Sequence, residues 1–155
     1  MVKICFICLG NICRSPMAEA LMREEVKQRG WEDKVLVESA ATGDWNLGSA
    51  PHPGTANLLA AKGISTDNMY ASLLKAGDVD RYDYLIGMDD SNIKNIEKIV
   101  GTSDKVYQLL DFTDQAGPIA DPYYTGNFDL TYDLVTKGIQ GLCQHLEATY
   151  PELRD

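Results

Sequence analysis

Short apolar runs and helix-like runs alternate along the whole of this chain, and that alternation leaves few architectures open. Residues 2–8 (VKICFIC) are an apolar run suited to a buried strand, and residues 16–29 (PMAEALMREEVKQR) are helix-like, with Gly30 as the stop. VLVESA (35–40) reads as a second strand, and GTANLLAAK (54–62) as a helix that Gly63 ends. YDYLIGM (82–88) is a third strand. DSNIKNIEKIV (90–100) then places Ile93, Ile96 and Val100 on one helical face ahead of Gly101. KVYQLL (105–110) is a fourth strand, and Leu130, Leu134, Leu142 and Leu146, with Ile139 between them, line one side of a long C-terminal helix. Four buried-looking strands separated by helices predict an α/β fold, a four-stranded parallel sheet flanked by helices on both faces. With no repeat, low-complexity tract or long linker, the 155 residues are expected to form one domain, 1–155.

In such sheets ligands bind beyond the carboxyl ends of the strands, where strand order reverses, so the segment after the first strand is the first place to look. That segment, residues 8–15, reads CLGNICRS. The net charge of −9 disfavours a nucleic acid or an anionic membrane as partner, and it requires any anion site to be built locally. No apolar run reaches membrane-spanning length, and MVKICFICLGN is too short and too soon interrupted for a signal peptide. The expected setting is therefore cytoplasmic, where thiols stay reduced and clustered cysteines are read as catalytic, redox or metal-binding.

Cys5 and Cys8 form C-x-x-C, but a structural zinc site needs four convergent ligands. Only Cys13, Cys143, His52 and His145 are on offer, and positions 5 and 8 of a strand face opposite ways. No metal is expected; Cys5 and Cys143 read as small buried hydrophobes. Cys8 differs, because the residues after it suit an anion. Gly10 and Asn11 tolerate left-handed backbone angles, so successive N–H groups can curl inward. Ser15 before Pro16 reads as an N-cap and first helical residue, which brings a helix N-terminus to the loop. Arg14 adds a planar fork matched to two phosphate oxygens. A helix N-terminus and an arginine can lower a cysteine pKa from about 8.5 to ~3.5–7.5, and the Ser15 hydroxyl can bond the thiolate. A thiolate beneath a phosphate cradle points to attack on phosphorus through a cysteinyl-phosphate.

CLGNICRSP (8–16) and DPYY (121–124), with SAATGDWN (39–46), LLAAKGI (58–64) and MDDSN (88–92) in order between them, make the chain resemble the low-molecular-weight protein tyrosine phosphatases over essentially its whole length. The resemblance implies a flavodoxin-like three-layer sandwich. It implies Cys8 as nucleophile, Arg14 as phosphate clamp, and Asn11 and Ser15 as loop organisers, within a phosphate loop that also contains Leu9, Gly10, Ile12 and Cys13. It implies Asp121 as general acid, a role worth ~10²–10⁴ in rate. Asp-Pro by itself is equally a turn starter. Trp45, Tyr123 and Tyr124 are the expected walls for an aromatic ester. In the family the residue matching Asn46 also borders the pocket, and the cysteine matching Cys13 forms a reversible disulfide with the nucleophile that guards it from irreversible oxidation.

One departure stands out. Many family members carry His-x-Ala-Arg in mid-chain, the histidine bracing the phosphate loop, where this chain has Met69, Tyr70, Ala71 and Ser72. The implied consequence is a softer loop, a higher Cys8 pKa or a slower reaction, with the reacting groups retained. Three rivals remain. A thioredoxin-coupled arsenate reductase needs two further cysteines near the third strand, and residues 82–100 have none. A non-catalytic phosphate or phosphotyrosine binder needs neither Cys8 nor Asp121. A flavodoxin-like electron carrier would set a thiolate against its own cofactor's phosphate. The expectation is a hydrolase that needs no metal or cofactor. Its substrates would be phosphotyrosine proteins, phosphotyrosine peptides and small aryl phosphates, and its product inorganic phosphate.

Overall fold

The computed structural model describes residues 1–154. Strand β1 (Val2–Cys8) feeds helix α1 (Arg14–Gln28), and β2 (Val35–Ala41) feeds α2 (Pro53–Ala61). A one-turn helix α3 (Asp78–Arg81) precedes β3 (Tyr84–Gly87), which leads to α4 (Asp90–Val100) and β4 (Val106–Gln108). A second one-turn helix α5 (Pro122–Thr125) and the long α6 (Phe128–Thr149) follow, and a 3-10 turn (Pro151–Leu153) comes after α6. The strands are all parallel, in the order β2-β1-β3-β4. Crossovers leave β1 in one direction and then the other, so the crevice at the carboxyl ends of β1 and β3 is the expected ligand position.

The central strand shows why three layers form. Ile4, Phe6 and Cys8 project into the core shared with α1 and α6, whereas Cys5 and Ile7 join Leu74, Leu85 and Ile96 on the α4 face. Both sets are buried, so β1 requires cover on each side. Cys5 and Cys143 are indeed core residues. Burial raises both thiols, Cys143 to about 12, and the Cys143 sulfur packs 3.8 Å from that of Met22. The third strand is shorter than 82–88, and Tyr84 at its start and Tyr82 just before it are both buried.

Three further expectations need correction. The fourth strand does not run over 105–110: it stops at Gln108, because the Asp111 carboxylate accepts from the Gln108 N–H at 3.0 Å and folds Leu109–Phe112 into a 3-10 turn. Ser15 is not the N-cap of α1. The helix already begins at Arg14 and Cys13 occupies the cap position, since the Ser15 hydroxyl is engaged inside the preceding loop. On α6 the buried stripe is Thr131, Val135, Ile139, Leu142 and Leu146, so Leu130, one residue out of phase, is 48% exposed. Truncating Leu142 to Ala should therefore cost about 2–5 kcal/mol in urea unfolding. Truncating Leu130 to Ala should cost less than about 1 kcal/mol; equal costs would mean the helix is rotated from this phase.

Candidate active site

The chain leaves the sheet at Cys8 and turns back into α1 within five residues, which requires one sharp reversal. Asn11 provides it, with φ of +56°. Gly10 is not left-handed, contrary to the sequence expectation; its role is space, since a Cβ there would lie 2.8 Å from the Asn46 amide nitrogen. The loop's carbonyls are engaged from outside. Cys8 O accepts from Thr42 N (3.1 Å), Leu9 O from Gly43 N (2.9 Å), and Ile12 O from His52 N (2.8 Å). Cys13 O accepts from the buried Thr55 hydroxyl at 3.0 Å. The main-chain N–H groups from Gly10 to Cys13 donate to no acceptor among the described residues, which leaves them for a ligand. The first turn of α1 carries neither a capping side chain nor an acidic residue that would compete for an anion.

Asn11 is also the hub beneath the loop. Its amide donates to Ser15 Oγ at 2.7 Å and Ser39 Oγ at 2.9 Å, and its carbonyl accepts from Ser72 N at 3.1 Å. Because Ser15 Oγ already accepts from Asn11, its own proton is free to point to Cys8 Sγ, 3.1 Å away. Ser39 in turn donates to the buried carboxylate of Glu19, whose pKa burial raises against the opposing bonds from Ser39 and Arg23. Met69 is buried in the apolar core, and Ser39 with the Ser72 backbone holds Asn11 where the family resemblance led us to expect a missing brace.

Arg14 is 2% exposed and must be compensated. Its Nη1 donates to Asp89 Oδ2 at 2.6 Å and to Ile119 O at 2.8 Å, and its Nη2 lies 3.5 Å from Asp121 Oδ2. The Nε–H is buried without a partner, a donor in want of an acceptor. Asp89 was absent from the sequence-derived site. Its second oxygen caps α4 by accepting from Asn92 N at 2.8 Å, and a helix cap is all that its place before DSN suggests.

Above the loop lies a cavity of about 320 Å³. Cys8, Leu9, Gly10, Ile12 and Cys13 form its floor, Trp45 and Asn46 one side, and Asp121, Tyr123 and Tyr124 the other. Asn11, Arg14 and Ser15 are not among its lining residues: Asn11 and Ser15 brace the loop from beneath, and the buried Arg14 lies against the lining residue Asp121. Asp121 also fulfils the turn-starting reading, because its carboxylate accepts from Tyr123 N at 3.0 Å and caps α5. Trp45, Tyr123 and Tyr124 are 72%, 60% and 75% exposed, so none of the three is a core residue. Gly43, which the sequence reading passed over, makes the first wall possible, since a Cβ there would sit 1.7 Å from the Trp45 ring. Burial pushes the Cys13 thiol up to about 12, with the charges of Asp121 and Cys8 adding and Arg14 opposing.

A cysteine-bearing loop with free N–H groups, a buried arginine and a carboxylate meet at one cavity bordered by exposed aromatic residues, at the carboxyl end of a parallel sheet, an arrangement suited to binding an anion. Residues 3–151 match the family model of the low molecular weight phosphotyrosine protein phosphatases. The chain is 43% identical over 148 residues to the low molecular weight protein-tyrosine-phosphatase PtpA of Staphylococcus aureus, covering 94% of each. It is 39% identical over 151 residues to YfkJ of Bacillus subtilis, covering 95% of this chain and 97% of the relative. The crystal structure of YfkJ superposes with a TM-score of 0.94 over 97% of both chains. The chain belongs to the low molecular weight protein-tyrosine-phosphatase family, a class of phosphatase enzymes.

Proposed function

We propose that this chain hydrolyses phosphotyrosine in proteins or peptides, and small aryl phosphate monoesters, through a cysteinyl-phosphate formed on Cys8. The observation that carries this reading is that Cys8 and Asp121 face one cavity between exposed aromatic side chains. The ester's phosphate rests on the loop N–H groups, and the unpartnered Arg14 Nε–H takes one of its oxygens. The Cys8 thiolate attacks phosphorus, forming the S–P bond as the P–O bond to the ring breaks, and Asp121 gives its proton to the departing oxygen. Asp121, now a carboxylate, takes a proton from a water that attacks the phosphocysteine. Inorganic phosphate forms and the sulfur leaves as thiolate, received by the Ser15 hydroxyl.

Trp45, Tyr123 and Tyr124 hold the ring, and Asn46 bounds the same side as Trp45. No metal or cofactor enters these steps. A cytoplasmic setting suits a chain whose four cysteines are all free, and no helix among the described residues is long and apolar enough to cross a membrane.

Cys13 serves as the redox partner of Cys8 in this reading. Peroxide oxidises the Cys8 thiolate to a sulfenic acid, the Cys13 sulfur attacks the oxidised sulfur, and water leaves as the disulfide forms. With its thiol at about 12, Cys13 attacks faster as pH rises, because its thiolate fraction grows about tenfold per unit.

With p-nitrophenyl phosphate and EDTA present, Cys8→Ser should bind phosphate without turnover, and a near wild-type rate would refute the nucleophile. Asp121→Asn should slow phenyl ester cleavage by about 10²–10⁴. After peroxide, wild type should recover with dithiothreitol and Cys13→Ala should not; equal recovery would remove the protective role.

A further inference from the structure

His52 lies outside the reacting groups, yet it touches both halves of the site. Its backbone N–H donates to the Ile12 carbonyl at 2.8 Å, and three residues on, Thr55 reaches the Cys13 carbonyl. An anion cradle that presents N–H groups to its ligand must have its carbonyls held from behind, and the start of α2 does this for two of them. The His52 side chain faces the other way. Its Nδ1 accepts from Gly54 N at 2.9 Å, which caps α2 and puts the ring proton on Nε2. One face of the imidazole stacks on Phe128, the first residue of α6, with centroids 5.1 Å apart and planes at 23°. The Tyr123 ring meets it edge-on, at 6.1 Å and 82°.

This stack needs room, and Gly54 supplies it: a Cβ there would lie 2.4 Å from the Phe128 ring. Tyr123 is in turn bonded to the acid, since its N–H donates to Asp121 Oδ1 at 3.0 Å. The path from the phosphate loop to the Asp121 carboxylate is therefore short and made of contacts: Ile12 carbonyl, His52, Tyr123, Asp121.

We propose that His52 is a positioning residue whose ring sets the place of Tyr123, and through it the Asp121 carboxyl, relative to the phosphate loop. The inference rests on the assignment of Asp121 as the acid. Loss of the ring should then harm proton delivery more than anion binding. The cradle is held by the His52 backbone N–H, which asparagine or phenylalanine retains, whereas a displacement of about 1 Å at a reacting group can cost about 10²-fold.

Two variants separate ring from cap. His52→Asn keeps a side-chain acceptor for the α2 N-terminus and loses the ring. His52→Phe keeps a ring for Phe128 and Tyr123 and loses the acceptor. Each is compared with wild type on phenyl phosphate, whose leaving group needs a proton, and on 2,4-dinitrophenyl phosphate, whose leaving group does not. Inorganic phosphate inhibition reports the cradle.

The expected result is a loss of about 10–100-fold in kcat/KM, which reports the step that expels the leaving group, for H52N on phenyl phosphate, with kcat/KM for the dinitrophenyl ester and phosphate inhibition within about twofold, and recovery of the ester ratio in H52F. An equal loss on both esters, a loss of phosphate inhibition, or a wild-type ester ratio in H52N would each overturn the inference while leaving the phosphatase reading intact. A wild type that cleaves neither ester would overturn both.

Discussion

A guanidinium buried to 2% exposure cannot stand uncompensated, and much of this site depends on how Arg14 is held. Its partners come from three separate parts of the chain: Asp89 at the end of the β3 segment, the Ile119 carbonyl, and Asp121 at the start of α5. The arginine therefore gathers the crevice at the carboxyl ends of β1 and β3 around itself. Its Nη groups are engaged by protein, and its Nε–H is left over for an anion. Within a chain of net charge −9, the loop N–H groups and the Arg14 Nε–H form a local set of unpartnered donors suited to an anion.

The phosphate loop is shaped from outside as much as from within. Thr42, Gly43, His52 and Thr55 each take a loop carbonyl, and Asn11 holds the underside through Ser15, Ser39 and Ser72. The donor count fixes the hydrogen-bond directions. The Asn11 amide has two protons and places both on hydroxyl oxygens, so the Ser15 proton remains for the sulfur. Ser39 donates a hydrogen bond to Glu19, which ends the chain of bonds in a buried carboxylate. Ser15 and Glu19 lie on α1, Ser39 on β2 and Thr55 on α2, elements fixed by the core, and the other partners lie in the loops. The cradle is consequently prepared before any ligand arrives, which is where electrostatic stabilisation in an enzyme gains most of its effect.

The fold was legible because its signals are local and strong. The alternation of apolar strands with helices, the apolar run of β1, and the Gly30, Gly63 and Gly101 stops all mark their elements directly. The loop after β1 was legible for a similar reason, as the residues that line the cavity there are nearly consecutive. What the sequence hid depends on contacts between distant segments. Asp89 looks like a helix cap and is also the ligand of Arg14; Gly43 and Gly54 look like turn residues and are clearances for the Trp45 and Phe128 rings. Ser15 looks like a cap and is instead a partner of Cys8. Leu130 was assigned to the buried face because leucine was taken as the marker, whereas the stripe passes through Thr131. The Met69 departure was visible, but the compensating contacts from Ser39 and Ser72 were not.

The central claim is that phosphorus passes through the sulfur of Cys8. The most direct measurement is rapid acid quench of the enzyme during turnover of an aryl phosphate, with peptide mass spectrometry of the loop segment. The account predicts one phosphoryl group on the peptide containing Cys8, formed and consumed at rates consistent with turnover and absent in Cys8→Ser. Steady turnover with no phosphoryl group on Cys8, or with one on another residue, would contradict it.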